Sequence, residues 1–117
     1  MFIALVVLTV LLAVLALNSA AMKLRRNEQV LASISGTVGV PERQLPVLAG
    51  LEIAGAAGIL IGLWLEPLGI AAAIGLVAYF VGALIGHLRV RDVKGAAAPV
   101  VPLLLSIAVL VLRFLTV

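Results

Sequence analysis

Residues 46 to 65, PVLAGLEIAGAAGILIGLWL, limit what this chain can fold into more than any other stretch. They are apolar enough to cross a bilayer, at about 1.5 Å of rise per residue over roughly 30 Å of hydrocarbon. Yet they carry one carboxylate, Glu52. A charge at that depth costs on the order of 3 kcal/mol on insertion scales, so it takes a partner or performs a task. Which other polar residues can reach Glu52 is therefore the first question about the fold.

The rest of the chain fits a membrane setting. Of its 117 residues, 65% are hydrophobic and only 11% charged, a balance that ordinary soluble domains do not have. The polar residues gather in two short clusters between long apolar runs. The formal charge of +3 comes from eight Lys and Arg against five Asp and Glu. The basic residues flank apolar runs, so they serve topology, and no nucleic-acid reader is present. With no cysteine, the chain has no disulfide, Cys-ligated metal, iron-sulfur cluster or thiol redox chemistry of its own.

The apolar runs predict an all-α, antiparallel four-helix transmembrane bundle with spans at 2–22, 46–65, 68–88 and 96–115 and a polar, interfacial segment at 23–45. The first run also resembles a signal peptide, with Asn18-Ser19-Ala20-Ala21 as a cleavage-like site. No basic residue precedes it, and Lys23, Arg25 and Arg26 follow it directly, which favours a retained helix. In the polar segment Val30, Leu31 and Ile34 share a side of a short interfacial helix, away from Glu28, Gln29, Ser33 and Ser35, with Gly36 as its stop. Pro41 opens the approach to the second span, and Pro46 is expected to kink its first turns. Glu66-Pro67 reads as a tight connection that makes the second and third spans antiparallel neighbours. Two stripes of small residues suit close helix packing, Gly50, Ala54, Gly58 and Gly62 on the second span and Gly75, Gly82 and Gly86 beside Tyr79 on the third. Pro99 and Pro102 fall near the start of the fourth, where they are tolerated.

Seven of the basic residues, Lys23, Arg25, Arg26, Arg43, Arg89, Arg91 and Lys94, lie in the first and third connections, leaving Arg113 near the other side. The positive-inside rule then puts the 23–45 and 89–95 connections in the cytoplasm and both termini outside, in a plasma (inner) membrane. Counting helical rise from the second connection sets Glu52 level with Val81, in the cytoplasmic half, with His87, Arg89, Arg91 and Asp92 forming a rim below it. Leu48, Glu52, Gly55 and Ile59 share one face, and Gly55 leaves room there for a water, a ligand group or a cation. Asn18 lies near the depth of Glu52, and Lys23 is close enough to snorkel toward it. Asp92 is expected to pair with one of the nearby basic residues or with Arg43, while Tyr79 and Trp64 read as packing and interfacial residues.

Lys23-Leu24 closing the first helix, Gly50-Leu51-Glu52 followed by GAAGIL in the second, and His87-Leu-Arg89-Val-Arg-Asp92 closing the third resemble the DoxX-like family of small four-helix membrane proteins. The resemblance covers essentially the whole chain and implies one domain, 1–117. It marks Lys23, Glu52, His87, Arg89 and Asp92 as the polar signature. The family takes its name from a subunit of an archaeal thiosulfate:quinone oxidoreductase, and distant animal relatives act as assembly chaperones.

Several functions stay open at this level. One is an accessory subunit of a quinone-linked membrane redox system, with His87 and Arg89 as donors to a carbonyl of a quinone or other lipophilic ligand and Glu52 relaying a proton. Another is an assembly or scaffold factor for a membrane protein partner. A homodimeric transporter is a third, although small multidrug exporters carry their carboxylate in the first helix and are richer in aromatics. A stand-alone enzyme using Glu52 and His87 lacks a nucleophile, and one histidine does not make a metal site. Beside the lipid bilayer, the expected partners are another membrane protein or a second copy of the chain.

Overall fold

In a computed structural model of the chain, the described residues are 2–25, 28, 31–39 and 41–115. Four α-helices carry the fold among them: α1 (Phe2–Leu24), α2 (Leu45–Ile61), α3 (Glu66–Arg89) and α4 (Val93–Leu115). They pack as a closed ring, α1 on α2, α2 on α3, α3 on α4 and α4 back on α1. Residues from the end of α1, the end of α3 and the start of α4 line one cavity, whereas the start of α1, the α2–α3 turn and the end of α4 line another. Successive helices therefore run in opposite directions, as expected.

Three of the helices, α1, α3 and residues 96–115 of α4, are long and apolar enough to cross a membrane, and α2 is a shorter apolar helix of 17 residues. A 3-10 turn, Glu42–Gln44, leads directly into α2 and lengthens it on the polar side. The outward faces bear exposed Val7, Leu11, Val14, Leu104 and Val111, which in a spanning bundle meet lipid.

The inward faces follow helical spacing. In α1 they are Leu5, Thr9, Leu12, Ala16, Ala20 and Lys23; in α2, Leu45, Ala49, Glu52, Ala56 and Ile59. Lipid is as apolar as leucine, so close fit holds such helices together more than the hydrophobic effect does. The α2–α3 contact illustrates this. A Cβ on Gly62 would coincide with the backbone of Gly69, one on Gly58 would sit 2.6 Å from the Ala72 Cβ, and one on Gly55 2.5 Å from a Leu76 methyl. Gly58 and Gly62 thus pack within the chain as the small stripe implies, but against Ala72 and Gly69. Gly75 and Gly82 have nothing within 4 Å of a built Cβ, and Gly50 and Ala54 are exposed. The room expected beside Gly55 is filled by Leu76.

Several boundaries differ from the sequence expectation. Helix α2 stops at Ile61, and the connection is the turn at 62–65, closed by Leu65 N–H donating to Ile61 C=O at 3.1 Å. Glu66-Pro67 belongs to the first turn of α3, where an acidic residue complements the helix dipole and proline loses no bond. Pro46 likewise sits in the first turn of α2, so its missing N–H is no loss there. Helix α4 starts at Val93, which places Pro99 and Pro102 inside it. In the polar segment, Leu31–Val38 forms a π-type helix that runs past Gly36. It ends at Gly39, whose φ of +90° suits a residue without a side chain. Arg26, Gln29 and Val30 lie outside the described residues, as do the side chains of Ser33, Ser35 and Lys94.

The α3–α4 junction is set by one residue. Arg91 takes a left-handed φ of 59°, Arg91 N–H donates to Leu88 C=O, and Asp92 N–H donates to His87 C=O. This is the Schellman ending of a helix, with arginine where glycine is usual. Asp92 then accepts from the Ala96 N–H through its own carbonyl, so the same residue closes α3 and opens α4.

Candidate functional site

Glu52 is fully buried on α2. Its Oε1 accepts from Lys23 Nζ at 2.6 Å, Tyr79 OH at 3.0 Å and Ser19 Oγ at 3.2 Å. Lys23 also donates to Ser19 Oγ at 2.7 Å, so the serine bridges cation and carboxylate. The ammonium further lies 5.9 Å from the centre of the Tyr79 ring, where the π-face adds attraction. Helical spacing explains the set: Ser19 and Lys23 stand four apart on one face of α1, and Tyr79 comes down from α3. Among the described residues the second oxygen, Oε2, has no hydrogen-bond partner. Removing this ion pair from water is costly, and three donors on one oxygen offset part of that cost.

Lys23, Ser19 and Tyr79 face a cavity as well as the carboxylate. The cavity has a volume of about 800 Å³ and lies between α1, α3 and α4 at the Lys23 end, with Ile34 of the π-type helix in its wall. Its lining is mostly apolar, and Asn18 and Arg89 add polar groups. At the α4 wall, Pro102 has no N–H to give the Ala98 carbonyl, so that acceptor lacks its intrahelical donor. A pocket of this size, with apolar walls and a few convergent polar groups, suits a lipophilic molecule with one polar head.

The sequence-predicted residues fall into two groups. Glu52, Lys23, Asn18 and Arg89 meet at or behind the cavity. His87 and Asp92 form a separate pair, His87 Nδ1 lying 2.8 Å from Asp92 Oδ2, and His87 does not line the cavity. The carboxylate only accepts, so Nδ1 carries the hydrogen. His87 is thus one partner of the Asp92 side chain. Asn18 turns its amide toward Met22 Sδ at 3.8 Å. The level of Glu52 on α3 is Tyr79, two residues from the expected Val81. The opposite end holds a second polar site, with Arg113 buried over Gly69 and sharing a small cavity with Glu66, Leu63 and Trp64. Among the described residues no three of His, Cys, Asp and Glu come together in a way that could hold a metal ion.

Fold and site together define a small helical membrane protein with a buried ion pair beside a lipophilic cavity. The model of the DoxX-like family matches residues 7–109, and the chain belongs to that family. No curated protein and no solved structure matches it.

Proposed function

We propose that this protein is an accessory component of a quinone-linked membrane redox system, holding the headgroup of a lipophilic quinone in the cavity at the Lys23 end. The observation that supports this reading is the convergence of Lys23, Ser19 and Tyr79 on the buried Glu52 at the wall of an otherwise apolar cavity of about 800 Å³. Arg89 and Asn18 are suited to donate to a quinone oxygen, and the Glu52–Lys23 pair is suited to hold or release a proton close by. The chain has no cysteine and one histidine, so electrons come from a partner protein. The basic connections favour a cytoplasmic position for the Lys23 end.

Thermal unfolding in phosphatidylcholine nanodiscs with a decyl-chain benzoquinone tests this. Ligand at a hundredfold excess over its dissociation constant adds about 2.7 kcal/mol to stability, a readily measured shift in Tm. The shift is expected in wild type and lost in Glu52→Gln. No shift at saturating quinone, or the same shift in Glu52→Gln, refutes the reading and leaves the cluster as a packing element of a scaffold.

A further inference from the structure

Among the described residues, the charged side chains that line the cavity do not balance. Two cations line it, Lys23 and Arg89, and no acidic side chain does among the described residues. Glu52 is the carboxylate in contact with this group, and it is fully buried behind Lys23, Ser19 and Tyr79. The wall therefore carries one negative charge against two positive ones. The remaining polar groups, the Asn18 amide, the Ser19 hydroxyl and the Tyr79 hydroxyl, leave the surplus unchanged. Lys23 is buried against Glu52, whereas Arg89 is exposed at the end of α3, so the surplus charge stands at the mouth of the cavity, where an entering headgroup meets it first.

We infer that the cavity binds its ligand in an anionic form: a lipophilic molecule whose head is an acidic oxygen, such as an enolate or carboxylate, held by Arg89 with Lys23 behind it. This rests on the ligand-site reading above and narrows it, since an acidic oxygen offers Arg89 a charge-assisted hydrogen bond that a neutral quinone does not. Arg89 stands at the end of α3, where its guanidinium can meet a headgroup while the tail runs along Leu15, Phe80 and Val101 in the cavity wall.

The test uses the full chain in phosphatidylcholine nanodiscs and three probes: an alkyl hydroxynaphthoquinone, its methyl ether with the same ring and chain, and laurate. At a pH where half of the free hydroxynaphthoquinone is ionised, its visible absorbance reports the fraction bound as anion. Wild type is expected to bind the hydroxy compound on the order of tenfold tighter than the ether, the weight of a charge-assisted hydrogen bond, and to raise the anion absorbance. Arg89→Gln is expected to remove both effects. Equal binding of hydroxy compound and ether overturns the inference while sparing the quinone reading, as does an unchanged preference in Arg89→Gln. Binding of laurate but neither naphthoquinone supports the anionic head and overturns the quinone. Binding of none of the three overturns both.

Discussion

Replacing Lys23 with methionine removes the cation from Glu52 and keeps most of the volume of the side chain. The carboxylate then keeps only Tyr79 and Ser19 as donors, at 3.0 and 3.2 Å, and stays fully buried. Stranding one half of a buried ion pair costs about 3–5 kcal/mol in water-soluble proteins. Interhelical hydrogen bonds in membrane proteins are worth far less, about 0.6 kcal/mol on average and 1.7 at most in one well-studied case. The Lys23 contact, at 2.6 Å with side chains 8% and 0% exposed, belongs near the upper range, so Lys23→Met is expected to cost about 3 kcal/mol. Glu52→Gln should cost less, about 1–2 kcal/mol, because the lysine sits at a helix end and can snorkel to water. The double variant has no stranded charge and is expected near the cost of Glu52→Gln alone. The cycle then gives a coupling of about 3 kcal/mol. Equilibrium unfolding in mixed dodecyl sulfate micelles, followed by circular dichroism, measures all four proteins. If the two single changes add within about 0.5 kcal/mol, the pair is not an energetic unit, and Lys23 is not what makes a buried Glu52 tolerable.

Other expectations concern packing and orientation. Gly62→Ala drives a methyl into the backbone of Gly69 and should cost about 3 kcal/mol or prevent folding, whereas Gly75→Ala and Gly82→Ala, with open space around them, should stay within about 0.5 kcal/mol by the same unfolding assay. A reversed order would mean that α3, not the α2–α3 seam, carries the tight contact. The absence of cysteine makes single probes clean. With the Lys23 end cytoplasmic, Trp64→Cys should react with an impermeant maleimide on intact cells and Glu28→Cys only after the membrane is opened. The opposite pattern inverts the topology expected from the basic connections.

Much of the fold was legible because a bilayer leaves few choices. Runs of apolar residues and two polar clusters suffice for four helices, and the spacing of Leu48, Glu52, Gly55 and Ile59 gives the inward face of α2. Lys23 could be matched to Glu52 because few polar side chains share that depth. Tyr79 was missed as a partner for a geometric reason. The turn at 62–65 takes its residues from the expected second span, and Glu66-Pro67 joins α3. This moves the facing level from Val81 to Tyr79, and a shift of two positions turns a helix face away. Ser19 had no signal of its own beyond standing four residues before Lys23. The His87–Asp92 pair needed the left-handed Arg91, which no glycine announces. The filling of the Gly55 gap by Leu76 depends on how α2 and α3 mesh, and hydropathy does not encode that.

The Lys23–Glu52 contact also bears on how the chain enters its membrane. Synthesis delivers α1 first, and Lys23, close to the end of that helix, can wait at the headgroups with its charge hydrated. Glu52 has no such refuge, standing eight positions into the shortest of the four helices. On its own that segment is the weakest inserter of the set, carrying an acidic side chain toward hydrocarbon. It becomes an acceptable membrane segment when α1 is already beside it to supply the counter-charge. The first two helices are in that sense a single unit of insertion, linked by a bond that neither forms alone.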